Sequence, residues 1–430
     1  MTQPAHDRTV PTGDPAGGDN PGIRPGAGRA RGIVAALAVT QTVGYGALYY
    51  SFAVFLTPLA HDLHASTTAV TGALTAATLT GAAAAVPVGA WLDRHGGRAL
   101  MTTGSIAGTL LLAAMSTVDN LVGLYAVWIG IGLASAMVLY EPAFAVVITW
   151  HPTPRGRANA LLAITVVAGF ASSIFLPLTG VLVHGYGWRT AALILAAVHG
   201  ALTIPLHTAV LRRARDRHPR RGTRPDSARR AAVRAVLRDR HFWLLTVTFV
   251  AHAAAVSALS VHLVAYLIEA GHPATFAATV AGLLGVLSVT GRLATTGLQR
   301  LARPTTVVAA VFALQALAAA SLPLTGRSGT GAIIAVVGFG IGFGVATIAR
   351  PALLAARYGT AGYATISGLL TVPMTIAKAA APLGAAALHG VAGGYTPVLL
   401  AVALACALAA AAVAAAGRVN AKELVHPSTG

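Results

Sequence analysis

From about Gly32 to about Ala416 the chain is a succession of apolar runs, many of 18 or more residues. That feature decides the fold class. In lipid only helices satisfy every backbone N–H and C=O within their own segment, and barrel strands would alternate in polarity where these runs do not. An all-α, multi-pass membrane protein is therefore expected. Charged residues make up only 10% of the chain, against roughly 25% in soluble domains.

The pattern predicts twelve transmembrane helices, at 32–58, 66–92, 99–117, 121–150, 157–184 and 188–211, then 242–269, 274–299, 304–325, 330–357, 362–390 and 394–417. Two six-helix halves follow, at 32–211 and 242–417. A polar tail (1–31) reads as disordered, a basic linker (212–241) joins the halves, and a short tail (418–430) closes the chain. The net charge of +18 is not a nucleic-acid signature, because twelve of the 30 basic residues lie between Arg212 and Arg240. The others favour every second loop, the distribution expected of cytoplasmic loops. Both termini are thus expected in the cytoplasm and the protein in the inner or plasma membrane. Within the linker, Arg230, Arg234 and Arg238 recur at helical spacing with Val233, Val236 and Leu237 on another face. Such a helix can lie on anionic inner-leaflet lipids, or the linker can simply be solvated. The single cysteine, Cys406, excludes an internal disulfide.

Glu141, followed by Pro142, is the only acidic residue inside a long apolar run. A carboxylate there is costly unless paired, protonated or facing water. It lies nine residues before Trp150, roughly 14 Å below the membrane surface at 1.5 Å per residue. The second half repeats the arrangement with opposite charge: Arg350-Pro351 follows a GIG motif as Glu141-Pro142 does, at an offset near 209. PLTGVLVHG (177–185) and PLGAAALHG (382–390) repeat at an offset of 205. Two parallel halves with a polar site between them are a transporter architecture.

The segment Gly89-Ala-Trp-Leu-Asp93-Arg94-His-Gly96-Gly-Arg98, at the end of the second span, resembles the hallmark loop of the major facilitator superfamily. The resemblance covers 32–417 and implies its pseudo-symmetric fold and alternating access. Tyr50 to Leu59 (YSFAVFLTPL), Arg155-Gly-Arg-Ala158, Gly187-Trp188-Arg189 and Gly291-Arg292 are similar to the monocarboxylate porter and oxalate/formate exchanger branch. The branch resemblance implies that Arg292 binds a substrate carboxylate. The chain departs from the branch pattern at Ser288, where animal members carry Asp, and near Gln41, where the first-helix signature starts with an acid.

On the residues themselves, Glu141 reads as a proton-coupling carboxylate or as one arm of an ion pair. Burial disfavours its charged form, so it can load and release a proton as a cavity alternates. Arg350 can bridge to Glu141 or bind an anion. Lys378 can face the cavity or pair with Glu141. Tyr45, Tyr49 and Phe52 share one helix face and can line a cavity or pack in the core. His252 and His262 can titrate if hydrated, or simply hydrogen-bond. Pro142 and Pro351 are expected to kink their helices. No phosphate-cradling loop, cofactor motif or metal-ligand spacing occurs, which argues against an enzyme or an ATP-driven pump. The expected function is secondary, proton-coupled transport of a small organic anion such as a monocarboxylate, by a monomer. Proton-driven export of a drug or metabolite is the alternative, and a receptor or scaffold on a degenerate transporter fold is a third.

Overall fold

A computed structural model describes residues 27–151, 153–212, 226–360 and 362–425. The expected disordered tail, up to residue 26, and the first part of the basic linker, 213–225, lie outside the described residues. Among those described there is no strand, and eleven continuous helical segments are long and apolar enough to cross a membrane. One of them, Pro154–Ala209, has 56 residues, about 84 Å of helix and more than twice a bilayer core. It is broken at Gly187, whose φ of 77° no branched side chain adopts readily. It therefore crosses twice, and the twelve spans expected from the sequence are present.

The first four spans are Ala30–Asp62, Thr67–His95, Gly97–Thr117 and Leu121–Trp150. The fifth and sixth are 154–186 and 188–212. The seventh to twelfth are Arg240–Glu269, Thr275–Leu298, Pro304–Thr325, Gly329–Tyr358, Tyr363–Ala392 and Thr396–Arg418. The last continues helically to Val425, through much of the expected C-terminal tail. Within the first half, span 1 packs on 5 and 6, span 2 on 4, and span 3 on 4 and 6. The second half repeats this: 7 on 11 and 12, 8 on 10, and 9 on 10 and 12. The halves meet chiefly where span 2 packs on 11 and span 5 on 8 and 10.

Small residues permit the closest of these contacts. A Cβ on Gly89 would overlap the Ala364 carbonyl, and one on Gly368 would overlap the Ala85 carbonyl. Ala85 and Gly89, and Ala364 and Gly368, are each one helical turn apart. Spans 2 and 11 therefore cross backbone against backbone through reciprocal small-xxx-small pairs.

The linker helix is Asp226–Arg238. Val236 is buried in an apolar cluster with Phe242 and Leu245, so this residue faces protein rather than lipid. Arg234, Leu237 and Arg238 are exposed.

Candidate functional site

Span 4 is not one continuous helix. It runs Leu121–Val138, breaks at Leu139, which is extended (φ −79°, ψ −157°), and resumes as Tyr140–Trp150. The sequence places the disturbance at Pro142, and the structure shows why it falls three residues earlier. Pro142 has no N–H for the carbonyl four residues back, that of Val138. The Val138 carbonyl accepts instead from Gln41 Nε2 of span 1, at 2.7 Å. Span 10 has the matching interruption, between Gly329–Phe343 and Val345–Tyr358, at Gly344 rather than at Pro351.

The restart after Leu139 aims Glu141 at the second half. Its Oε1 forms an ion pair with Arg350 Nη2, and its Oε2 accepts from the Ser367 hydroxyl at 2.7 Å. Arg350 Nη1 donates to Thr371 Oγ1 at 3.0 Å, and Thr371 donates on to the Ser367 carbonyl at 2.9 Å. Arg350 is 6% exposed, while the Glu141 side chain keeps 28% of its surface. A cavity of about 50 Å³ adjoins Glu141 between spans 2, 4 and 11. One acid of the first half is thus held by two residues of the second, which Thr371 braces.

Arg292, on span 8, takes a different environment. Its Nε donates to the Gly344 carbonyl at 3.2 Å, at the break in span 10. Its Nη1 donates across the halves to the Thr165 carbonyl of span 5 at 2.9 Å. It is close enough to Tyr140, Tyr50 and Tyr45 to interact with them electrostatically. No acidic side chain pairs with it among the described residues.

Tyr45 is half-buried, its ring 4.6 Å from Tyr140, which stacks on Phe144 at 4.9 Å. Tyr49 is 39% exposed. Phe52 turns away and packs on Trp128, in the core of the first half. Lys378 is exposed; the structure pairs Glu141 with Arg350 rather than with this lysine. Its carbonyl accepts from Ser257 Oγ at 2.7 Å. His252 is buried and donates to Gln315 Oε1 at 3.0 Å, and Gln315 donates to the Phe339 carbonyl, so this histidine serves the core of the second half. His262 lies between the Tyr395 hydroxyl (3.2 Å) and the Pro382 carbonyl (2.9 Å).

The loop after span 2 also reaches across the halves. Asp93 accepts from the backbone N–H groups of Ala364 (3.1 Å) and Thr365 (2.8 Å) and from the Thr365 hydroxyl (2.6 Å). A carboxylate there satisfies the orphan donors at the start of span 11 and complements its helix dipole. Gly96, with φ of 76°, separates spans 2 and 3. Arg94 is exposed and Arg98 half-buried at the same end.

The sequence singles out Glu141, Arg292 and Arg350, and the structure brings the first and last into contact. Ser367, Thr371, Gln41, Tyr50 and Tyr140 were missed. Ser367 and Thr371 carried a usable signal, two hydroxyls one turn apart on a membrane-spanning helix. Gln41 was marked only as a departure from the branch pattern and Tyr140 not at all, because their partners are about a hundred residues away.

Comparison with known proteins agrees with this architecture. The Major Facilitator Superfamily model matches residues 37–382. The mouse protein named monocarboxylate transporter 4 is 27% identical over 308 residues, 68% of this chain and 63% of its own length. Its rat counterpart is 26% identical over 308 residues, with 68% and 62% covered. The match thus spans a little under two thirds of those relatives. Among solved structures, the Escherichia coli fucose:proton symporter superposes with a TM-score of 0.71 at 16% identity, covering 89% of this chain and 98% of that one. A human organic anion transporter superposes with a TM-score of 0.66 at 16% identity, covering 89% and 99%. At these identities the likeness is one of fold.

Proposed function

This chain belongs to the Major Facilitator Superfamily, and on that premise we propose that it carries a small organic anion of the monocarboxylate class, coupled to protons through Glu141. The observation that carries the anion reading is a charge imbalance. Away from their ends the spans hold one acid, Glu141, and it is engaged by Arg350. Arg292 and Lys378 lack a carboxylate partner among the described residues. Arg292 spends two of its five N–H groups on backbone carbonyls, and its Nη2 has no hydrogen bond among the described residues. An unpaired guanidinium in a membrane interior is costly, and a bound carboxylate supplies the missing charge in a bidentate geometry. The names of the curated relatives, monocarboxylate transporters, support the same class.

Glu141 is the proton site in this reading. It is the one intramembrane acid, it sits beside a small cavity, and its partners all lie in the opposite half. Movement of the halves exchanges those partners for water, and the carboxylate then takes up or gives up a proton. In this reading the Asp93 end, where the arginine-rich loops lie, faces the cytoplasm, and the membrane is the plasma membrane. The contacts between the halves lie at that end, which supports reading this state as closed to the cytoplasm. The linker helix, with Arg234 and Arg238 exposed, lies beside the anionic leaflet.

The test is uptake into proteoliposomes under an imposed pH gradient, with a panel of monocarboxylates and lipophilic cations. Wild type is expected to accumulate a monocarboxylate when the outside is acidic. Glu141→Gln is expected to lose gradient-driven uptake and keep substrate exchange. Arg292→Ala is expected to raise the apparent KM for the anion at least about tenfold, the scale of one lost charged hydrogen bond. Accumulation of cations but not of anions would place the chain among exporters instead. Unchanged anion affinity in Arg292→Ala would remove that residue from the binding site.

A further inference from the structure

Four of the chain's ten tyrosines form one cluster, and three of them, Tyr45, Tyr50 and Tyr140, lie within electrostatic range of Arg292. Tyr45, Tyr49 and Tyr50 come from span 1, and Tyr140 from the restart of span 4. The convergence depends on a local backbone device. In an α-helix, residues five apart point about 140° away from each other, so Tyr45 and Tyr50 would not meet. Here Gly46–Tyr50 forms a π-turn, with the Ser51 N–H donating to the Gly46 carbonyl five residues back. The wider turn brings both the Tyr49 and the Tyr50 ring to 6.4 Å from that of Tyr45. Tyr49 and Tyr50 meet edge to face at 5.3 Å. Such single-turn π segments give up regular helical hydrogen bonding and recur at functional sites.

These rings are not filler for the core. Tyr49 is 39% exposed, and Tyr45 and Tyr50 are half-buried, whereas the packing face of the same segment, Ala47 and Leu48, is closed off from solvent. The charged groups bracket the cluster. Arg292 is within electrostatic range of Tyr50, Tyr45 and Tyr140, and Tyr45 is within range of Glu141. Rings set at mixed angles beside a guanidinium without a carboxylate partner offer aromatic edges and faces next to an anion receptor.

We propose that the preferred substrate is an aromatic carboxylate, whose carboxyl group meets Arg292 while its ring packs against Tyr45, Tyr49, Tyr50 and Tyr140. This rests on the anion reading above and narrows it from monocarboxylates in general to those with a flat π face. Aromatic rings favour offset or edge-to-face partners beyond the area they bury, an advantage a saturated ring of equal size lacks.

The experiment is competition for uptake in proteoliposomes by three carboxylates: benzoate, cyclohexanecarboxylate and acetate. The first two match in size and charge, so their ratio reads the π contribution alone. Benzoate is expected to inhibit at a concentration about tenfold lower than cyclohexanecarboxylate, the worth of one or two aromatic contacts. Tyr140→Leu is expected to bring that ratio close to one, and Tyr140→Phe to keep it, which separates loss of the ring from a failure to fold. Equal potency of the two ring acids in wild type would overturn the aromatic assignment and leave the anion reading standing. Competition by none of the three would overturn both.

Discussion

The two ends of the helical bundle are held together in opposite ways. At the end carrying Asp93, contacts run between the halves: Asp93 with the start of span 11, Glu141 with Arg350 and Ser367, Arg292 with Thr165, and Arg300 with Asn159 at 3.5 Å. One apolar cluster there joins Val88, Leu92 and Ile148 of the first half to Phe242, Leu354 and Ile366 of the second. At the end carrying Asp62, each half closes on itself. Asp62 accepts from Trp188 Nε1 (2.8 Å) and pairs with Arg189 (2.5 Å), all in the first half. Glu269 pairs with His389 at 2.9 Å, and Tyr266 donates to the Leu322 carbonyl at 2.6 Å, all in the second. The apolar clusters at that end likewise stay within one half. Contacts at the Asp62 end therefore hold each half rigid, while contacts at the Asp93 end must break for the protein to alternate.

Span 2 shows the contrast along a single helix. The face that docks Ala85 and Gly89 on span 11 continues to Thr71 and Thr75, which are exposed. A rigid-body rocking of the halves trades one contact for the other, without any change inside either half.

The largest expected effect comes from the Glu141–Arg350 pair. Removing one partner of a buried pair costs about 3–5 kcal/mol, most of it the uncompensated charge left behind. The two removals are not equivalent. A lone carboxyl group can take up a proton and become neutral, whereas a guanidinium cannot lose one. Glu141→Gln is therefore expected to lower the apparent melting temperature in detergent more than Arg350→Met does. The double variant should be closer to wild type than Glu141→Gln alone. Equal losses in both single variants would mean that the pair's charges are already met by water.

Next come the contacts that clamp the Asp93 end. Cys406 is buried, so an introduced cysteine can be followed alone. Leu92→Cys, in the apolar cluster that joins the halves, is expected to label slowly with an aqueous maleimide. Adding Gly89→Val should raise that labelling strongly, because its side chain meets the Ala364 backbone, which cannot yield unless the helices separate. Adding Asp93→Ala should raise it less, by the ~1 kcal/mol or so that a lost helix cap is worth, about fivefold. Asp62→Ala, which disturbs only the first half, should leave the labelling unchanged. A rise with Asp62→Ala as large as with Asp93→Ala would abolish the distinction between the two ends.

The sequence was legible wherever the physics was local. Apolar run length gives the spans, and the matched offsets give the two halves. The lone Glu141 marks an ion pair between the halves, one of the two outcomes expected of an acid at that depth. Even the paired prolines mark disturbed helices correctly, though not the residue at which each breaks. What could not be read was anything set by a partner remote in sequence. Asp93 sits at the end of its own helix, but the helix it caps begins some 270 residues later. Arg292 reads as a carboxylate receptor from its resemblance alone; its hold on Thr165 follows from packing between spans 5 and 8. The π-turn was invisible because tyrosines at 45, 49 and 50 look like two faces of an ordinary helix until the backbone widens.

The smallest expected effect is also the sharpest control, because it places a carboxylate at the Asp93 end that does not cross the halves. Asp239 caps span 7 through the His241 N–H (2.9 Å), accepts from Tyr358 (2.9 Å) and pairs with Arg357 (3.3 Å), all in the second half. Burial pushes its carboxyl up, but the His241 N–H, the Tyr358 hydroxyl and Arg357 outweigh it and hold it below the usual carboxylate range. A depressed carboxylate contributes stability that is present above its unfolded value, near pH 4, and is lost as pH falls through the lower folded value. Asp239→Asn is therefore expected to melt slightly below wild type at neutral pH, by no more than about 1 kcal/mol for so accessible a pair. The gap should close as the pH is lowered below about 4. Labelling at Leu92→Cys should not change, since no contact between the halves is lost. If Asp239→Asn opened the Asp93 end as Asp93→Ala does, the linker and span 10 would belong to the moving clamp rather than to the rigid half.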